Sequence, residues 1–258
     1  MNNTLIIGTF IIIFISINSK AQNTGDNNIN KLNQAKASNG IDFYALGNEP
    51  FWSLDMDFEN EFQFKNLDGL TIVVPAEKGV KAMDAEVTRY RSVNESHELI
   101  IQVHLQNCSD TMSDNNFNYK VSIDYKKSKE KDYTRLSGCG NFVPDYRLHN
   151  IWAVESVENE NLKEIEFMKG QPFIDINMTE YRISGHDGCN NIMGGFRYEK
   201  GYLIIGNLAG TMMACPNMEI SNQISKTLNN KKIAYEFREG KLHFIYQNKI
   251  IMTLNNID

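Results

Sequence analysis

Residues 119–126 read YKVSIDYK and alternate apolar with polar without a break. In an extended chain Tyr119, Val121, Ile123 and Tyr125 share one face, and Lys120, Ser122, Asp124 and Lys126 share the other. A strand with one dry and one wet face belongs to an antiparallel sheet. The same period runs outward on both sides. ELIIQVHLQ groups Leu99, Ile101, Val103 and Leu105; EFQFKN groups Phe62 and Phe64; FWSLDMDF sets Trp52, Leu54, Met56 and Phe58 against Ser53, Asp55 and Asp57. No long helical period interrupts this pattern between Ile41 and about Tyr146.

A second run of strands begins at Trp152. RYEKGYLII turns at Glu199-Lys200-Gly201, and YEFREGKLHF turns at Glu239-Gly240. A glycine after a polar residue supplies the positive φ of a tight hairpin. Between these hairpins the spacing of Ile220, Ile224 and Leu228 predicts one helix, from Pro216 to about Asn229. The expected fold is mainly β: two antiparallel β domains, sandwich-like or barrel-like, over residues 40–146 and 147–258. The second carries one α-helix inserted between strands. The changeover is expected in VPDYRLHN, residues 143–150.

The segment LIIGTFIIIFISI, residues 5–17, is too short to span a bilayer comfortably and suits the core of a signal peptide. Ser19-Lys20-Ala21 is a small-x-small site, so residues 1–21 are expected to be removed before Gln22. No Lys or Arg precedes the core, and an uncleaved anchor is the alternative. No cysteine adjoins the site, which leaves no thiol there for a lipid anchor. Residues 22–39, QNTGDNNINKLNQAKASN, hold few large apolar side chains and are expected to form a disordered tether.

Export implies a periplasmic or envelope location in an oxidising compartment, with no stable membrane span after cleavage. The formal net charge is −6, with both signs interspersed, and this argues against nucleic acid as a partner. The patterns G-x-G-x-x-G, G-x-x-x-x-G-K-[ST] and G-x-S-x-G do not occur.

SGHDGCNN, residues 184–191, places Cys189 near His186 and Asp187. A nucleophile needs a low-pKa thiolate and an oriented base. A histidine three residues away on one turn rarely meets a sulfur well, and no amide orienter follows. Zinc is disfavoured because C-x-x-C and H-x-x-x-H are absent. The sharper metal candidate is TMMACPNM, where Met212, Met213, Cys215 and Met218 crowd together; soft sulfur ligands suit Cu(I). Methionines filling a core beside a disulfide are the competing explanation. His97 and His104 lie an odd number of residues apart and should face opposite ways. Asp187 fits a turn former. Glu49-Pro50-Phe51-Trp52 fits the start of a strand with an anchoring tryptophan better than a ligand clamp. The four cysteines, Cys108, Cys139, Cys189 and Cys215, allow three pairings, of which Cys108–Cys139 and Cys189–Cys215 are the simplest, being local to each half. Each closes a loop of about 30 residues, which the chain-entropy model values at roughly 3.5 kcal/mol.

The second half resembles the META (HslJ-like) domain. The residues that carry the resemblance are Trp152-Ala153-Val154, ISGHDGCNNIMGGF at 183–196, YLIIGNLAGTMMACPN at 202–217, and a helix followed by GKLHFIY. Met212-Met213 departs from the more usual T-[KR]-M and removes a basic side chain. The first half, with ALGNEPFWSLDM, CSDTMS at 108–113 and GCG at 138–140, resembles a small uncharacterised envelope domain that often precedes META. The resemblance implies an exported or surface-facing bacterial protein, linked loosely to stress and antibiotic (novobiocin) tolerance. It carries no known reaction, catalytic residue or cofactor, and it implies that Cys189 and Cys215 lie close together. The expectation is a non-enzymatic envelope protein that binds an envelope protein or a small ligand, with soft-metal handling at the Met/Cys cluster as the alternative.

Overall fold

The computed structural model describes residues 24–83, 86–110, 115–158 and 160–257. The expected signal segment and cleavage site lie outside the described residues. The first sheet holds β1 (Phe43–Asn48), β2 (Phe51–Met56), β3 (Glu61–Asn66), β4 (Thr71–Pro75), β5 (Val80–Lys81), β6 (Val87–Val93), β7 (His97–Asp110), β8 (Asn115–Lys127) and β9 (Thr134–Phe142). Its order is β4-β3-β2-β1-β9-β8-β7-β6-β5, antiparallel throughout, and it curls into a half-barrel. The second holds β10 (Asn150–Val157), β11 (Glu160–Asn161), β12 (Phe173–Asn177), β13 (Arg182–His186), β14 (Asn191–Glu199), β15 (Tyr202–Ile205), β16 (Ala209–Gly210), β17 (Lys232–Arg238), β18 (Lys241–Tyr246) and β19 (Lys249–Asn256). Pairing of β10 with β19 closes this sheet into a barrel.

The alternating residues of β8 place its dry face inward. Ile123 lies opposite Ile101 and Val121 opposite Val103, and all four are buried with Leu54, Phe62 and Phe64. Trp52 anchors β2. Gly47 and Gly138 make room for its indole: a Cβ on either would come within 2.0 to 2.6 Å of the ring. These two glycines account for the physical content of GNEPFW and GCG. The second core gathers Trp152, Val154, Ile174, Ile183, Leu203 and Phe244 inside the barrel, among others.

Among the described residues two α-helices flank the sheets. One, α2 (Met218–Leu228), sits between β16 and β17 and turns Ile224 and Leu228 into the second core, as its apolar spacing predicts. The other, α1 (Thr24–Ser38), stands where the composition led us to expect a disordered tether. Its few apolar residues fall at helical spacing: Ile29, Leu32 and Ala37 pack on Tyr44, Phe117, Cys139 and Val143. Asn33 is fully buried and donates to the Tyr181 hydroxyl at 3.5 Å, and Lys36 pairs with Asp55 at 2.7 Å. Tertiary contact, and not intrinsic propensity, orders the segment. Because Asp55 is in the first sheet and Tyr181 in the second unit, α1 spans both halves. No described helix is long and apolar enough to cross a membrane.

A polar seam also joins the halves at the β14–β15 turn. Tyr119 donates to Glu199 at 3.2 Å, and Lys200 reaches Asp42 at 2.7 Å. Burial would raise the Glu199 pKa, but Lys232, Arg197 and the Tyr119 hydroxyl hold it below the usual carboxylate range.

Candidate functional site

The turn from β13 to β14 is His186-Asp187-Gly188-Cys189-Asn190. Gly188 takes φ +91°, and a Cβ there would strike the Phe167 ring, so the turn requires glycine on both counts. Asp187 is buried, and its Oδ1 accepts the Cys189 and Asn190 backbone N–H groups at 3.0 and 2.6 Å. Its Oδ2 accepts the Ser225 hydroxyl at 2.8 Å, which ties the turn to α2. Asn190 does the same for the segment that follows β16. Its Oδ1 accepts the Thr211 hydroxyl at 2.9 Å and the Met213 N–H at 2.7 Å, while its Nδ2 donates to the Met213 carbonyl at 3.4 Å.

Sulfur completes the framework. Cys189 is bonded to Cys215, with Cα atoms 5.9 Å apart, and Cys108 is bonded to Cys139, with Cα atoms 5.5 Å apart. The second bond links the far end of β7 to β9. His186 packs edge-on against Phe173 at 4.6 Å, and its Nδ1 accepts the Gly188 N–H at 3.2 Å. Partial burial, assisted by the Lys169 cation, pushes its pKa down, so the imidazole stays neutral at pH 7.

Over this framework lies a cleft of about 440 Å³ between residues 208–214 and α2. Asp187, Asn190 and Ile192 line it together with Met212, Met213 and Met218. These three methionines are exposed, Met212 completely. The Asp187 side chain is engaged with its own turn and α2, and the Asn190 side chain with residues 211–213, so the cleft offers an apolar, polarizable rim above side chains that hold the scaffold. Cys189 carries no thiol in this arrangement, and a disulfide sulfur is not a nucleophile toward substrate or a thiolate ligand. The same bond removes Cys215 from the set Met212, Met213, Cys215 and Met218, leaving three thioethers at the rim. Among the described residues no group of three or more His, Cys, Asp or Glu side chains is placed to hold a metal ion.

Residues 146–255 match the family model of the META domain. The C-terminal half of this chain is a META domain. Among solved structures, an NMR structure of a protein 25% identical covers 43% of this chain and 92% of its own, with a TM-score of 0.35. An NMR structure of a protein from Burkholderia xenovorans, 19% identical, covers 42% of this chain and 81% of its own, with a TM-score of 0.33. No curated protein matches the chain.

Within the META domain, some of the site was visible beforehand and some was not. The turn role of Asp187 follows from Asp before Gly, whose side chain bonds the backbone two residues on. Its bond to Ser225 and the Asn190–Thr211–Met213 cluster bring together residues far apart in sequence, and no local pattern announces them. Met212 and Met213 look like core filler beside a disulfide, yet they stand on the surface of the META domain.

Proposed function

We propose that the protein acts in the bacterial cell envelope as a non-catalytic binding protein, exported to the periplasm or envelope surface, and that the META cleft receives its partner. The observation that carries this reading is the cleft itself: three solvent-exposed methionines above a turn that a disulfide and a buried Asp–Ser bond hold rigid. Flexible thioethers suit adaptable apolar recognition. Two disulfides fit an oxidising compartment. The sealed Cys189 supports a role without chemistry, and the link to stress or antibiotic tolerance comes from the family resemblance. A photo-crosslinking residue at Met212, with the exposed Leu67 as control, tests the site in envelope preparations. A product specific to position 212 is expected; identical products at both positions, or none, would count against the cleft.

Soft-metal handling is the second reading, and the same three thioethers favour it. One equivalent of Cu(I) held by the oxidised protein, and lost in the Met212→Leu/Met213→Leu/Met218→Leu variant, would establish it in place of the first.

A further inference from the structure

We propose that the β5–β6 edge of the first sheet carries a second site, for a single amphiphile with an anionic head, a carboxylate or phosphate, on an apolar chain. In register across three strands, Val80 lies beside Arg89 and Arg89 beside Gln102. These side chains face away from the core, since the alternate residues Leu99, Ile101 and Val103 are buried within it. Arg91 follows Arg89 on the same face, about 7 Å along the strand, and lines the same recess. Lys78 lines the same recess, whose volume is about 420 Å³.

Charge points to the head. Lys78, Arg89 and Arg91 face a single lining carboxylate, Glu77, although the chain as a whole carries −6. Arg91 gives its Nε–H to Glu98 at 2.7 Å; among the described residues neither Arg89 nor Lys78 forms an ion pair. Neighbouring cations on one sheet face repel each other, and a bound anion removes that repulsion. Exposure points to the tail. Val80 is 72% exposed beside these cations, and Ala82 and Val87 extend the same wall. A site for free phosphate has no use for that wall, whereas an acyl chain would cover it.

Dodecyl phosphate, titrated as a monomer into the full-length protein and followed by calorimetry, is the test. One saturable site is expected, weakened at least about tenfold by Lys78→Ala/Arg89→Ala, with inorganic phosphate at least about tenfold weaker than the amphiphile. Both substitutions fall on exposed side chains, and an unchanged circular dichroism spectrum confirms the fold of the variant. No binding, or binding that the double variant retains in full, overturns the site. Inorganic phosphate bound as tightly as dodecyl phosphate overturns the amphiphile. Binding to phosphatidylglycerol vesicles with none to the monomer overturns it in favour of a membrane surface.

Discussion

At Asp187 one buried carboxylate serves three donors in two segments. Asp187→Ala strips all three, and should cost about 2–4 kcal/mol of unfolding free energy, against about 1 kcal/mol for Ser225→Ala. Urea denaturation compares them; equal losses would mean that the turn bonds contribute nothing. His186 makes a different prediction. Its folded pKa is below the ordinary 6.5, because partial burial and Lys169 disfavour the imidazolium. The unfolded chain therefore takes up this proton first as pH falls. Stability from this group is complete above the unfolded pKa and is lost as pH drops through the lower folded value. His186→Gln should flatten the acid side of the stability profile between pH 7 and 5, and an unchanged slope would refute the assignment. At this scale the sequence made turn chemistry legible, since Asp and Gly act on their own neighbours. It did not reveal a bond such as Asp187–Ser225, which spans 38 residues.

Among the elements, the strands were the most legible. Side-chain alternation is itself a record of which face is dry, and β7 and β8 keep the faces that their period assigns. Helix α2 was legible from its four-residue apolar spacing. Helix α1 was not, because Ile29 and Leu32 are sparse within a polar, Asn-rich run, and its stability comes from partners in both halves. Hydrogen exchange tests this directly. The amides of Gln34 to Ser38 should be protected well beyond coil rates in the native protein, as expected for a docked helix. Coil-like exchange there would return the segment to a tether.

For the whole molecule, each half owns a core and a disulfide, while Phe142 packs against both cores and polar pairs cross between them, Tyr119–Glu199 and Lys200–Asp42, beside the α1 strap. Fragments 22–146 and 147–258 should each fold when oxidised, giving cooperative melts by circular dichroism; two unfolded fragments would mean that the seam is indispensable. Such long-range polar pairs leave no periodic trace, so the seam could not be read from the chain. The central claim is that Cys189 is a structural half-cystine beneath the methionine-rimmed cleft and performs no thiol chemistry. Non-reducing peptide mapping of alkylated protein from the envelope fraction tests it most directly. The account predicts peptides linked through Cys189–Cys215 and Cys108–Cys139, with no alkylated Cys189. A free, alkylatable Cys189, with Cys215 free or paired elsewhere, would contradict it.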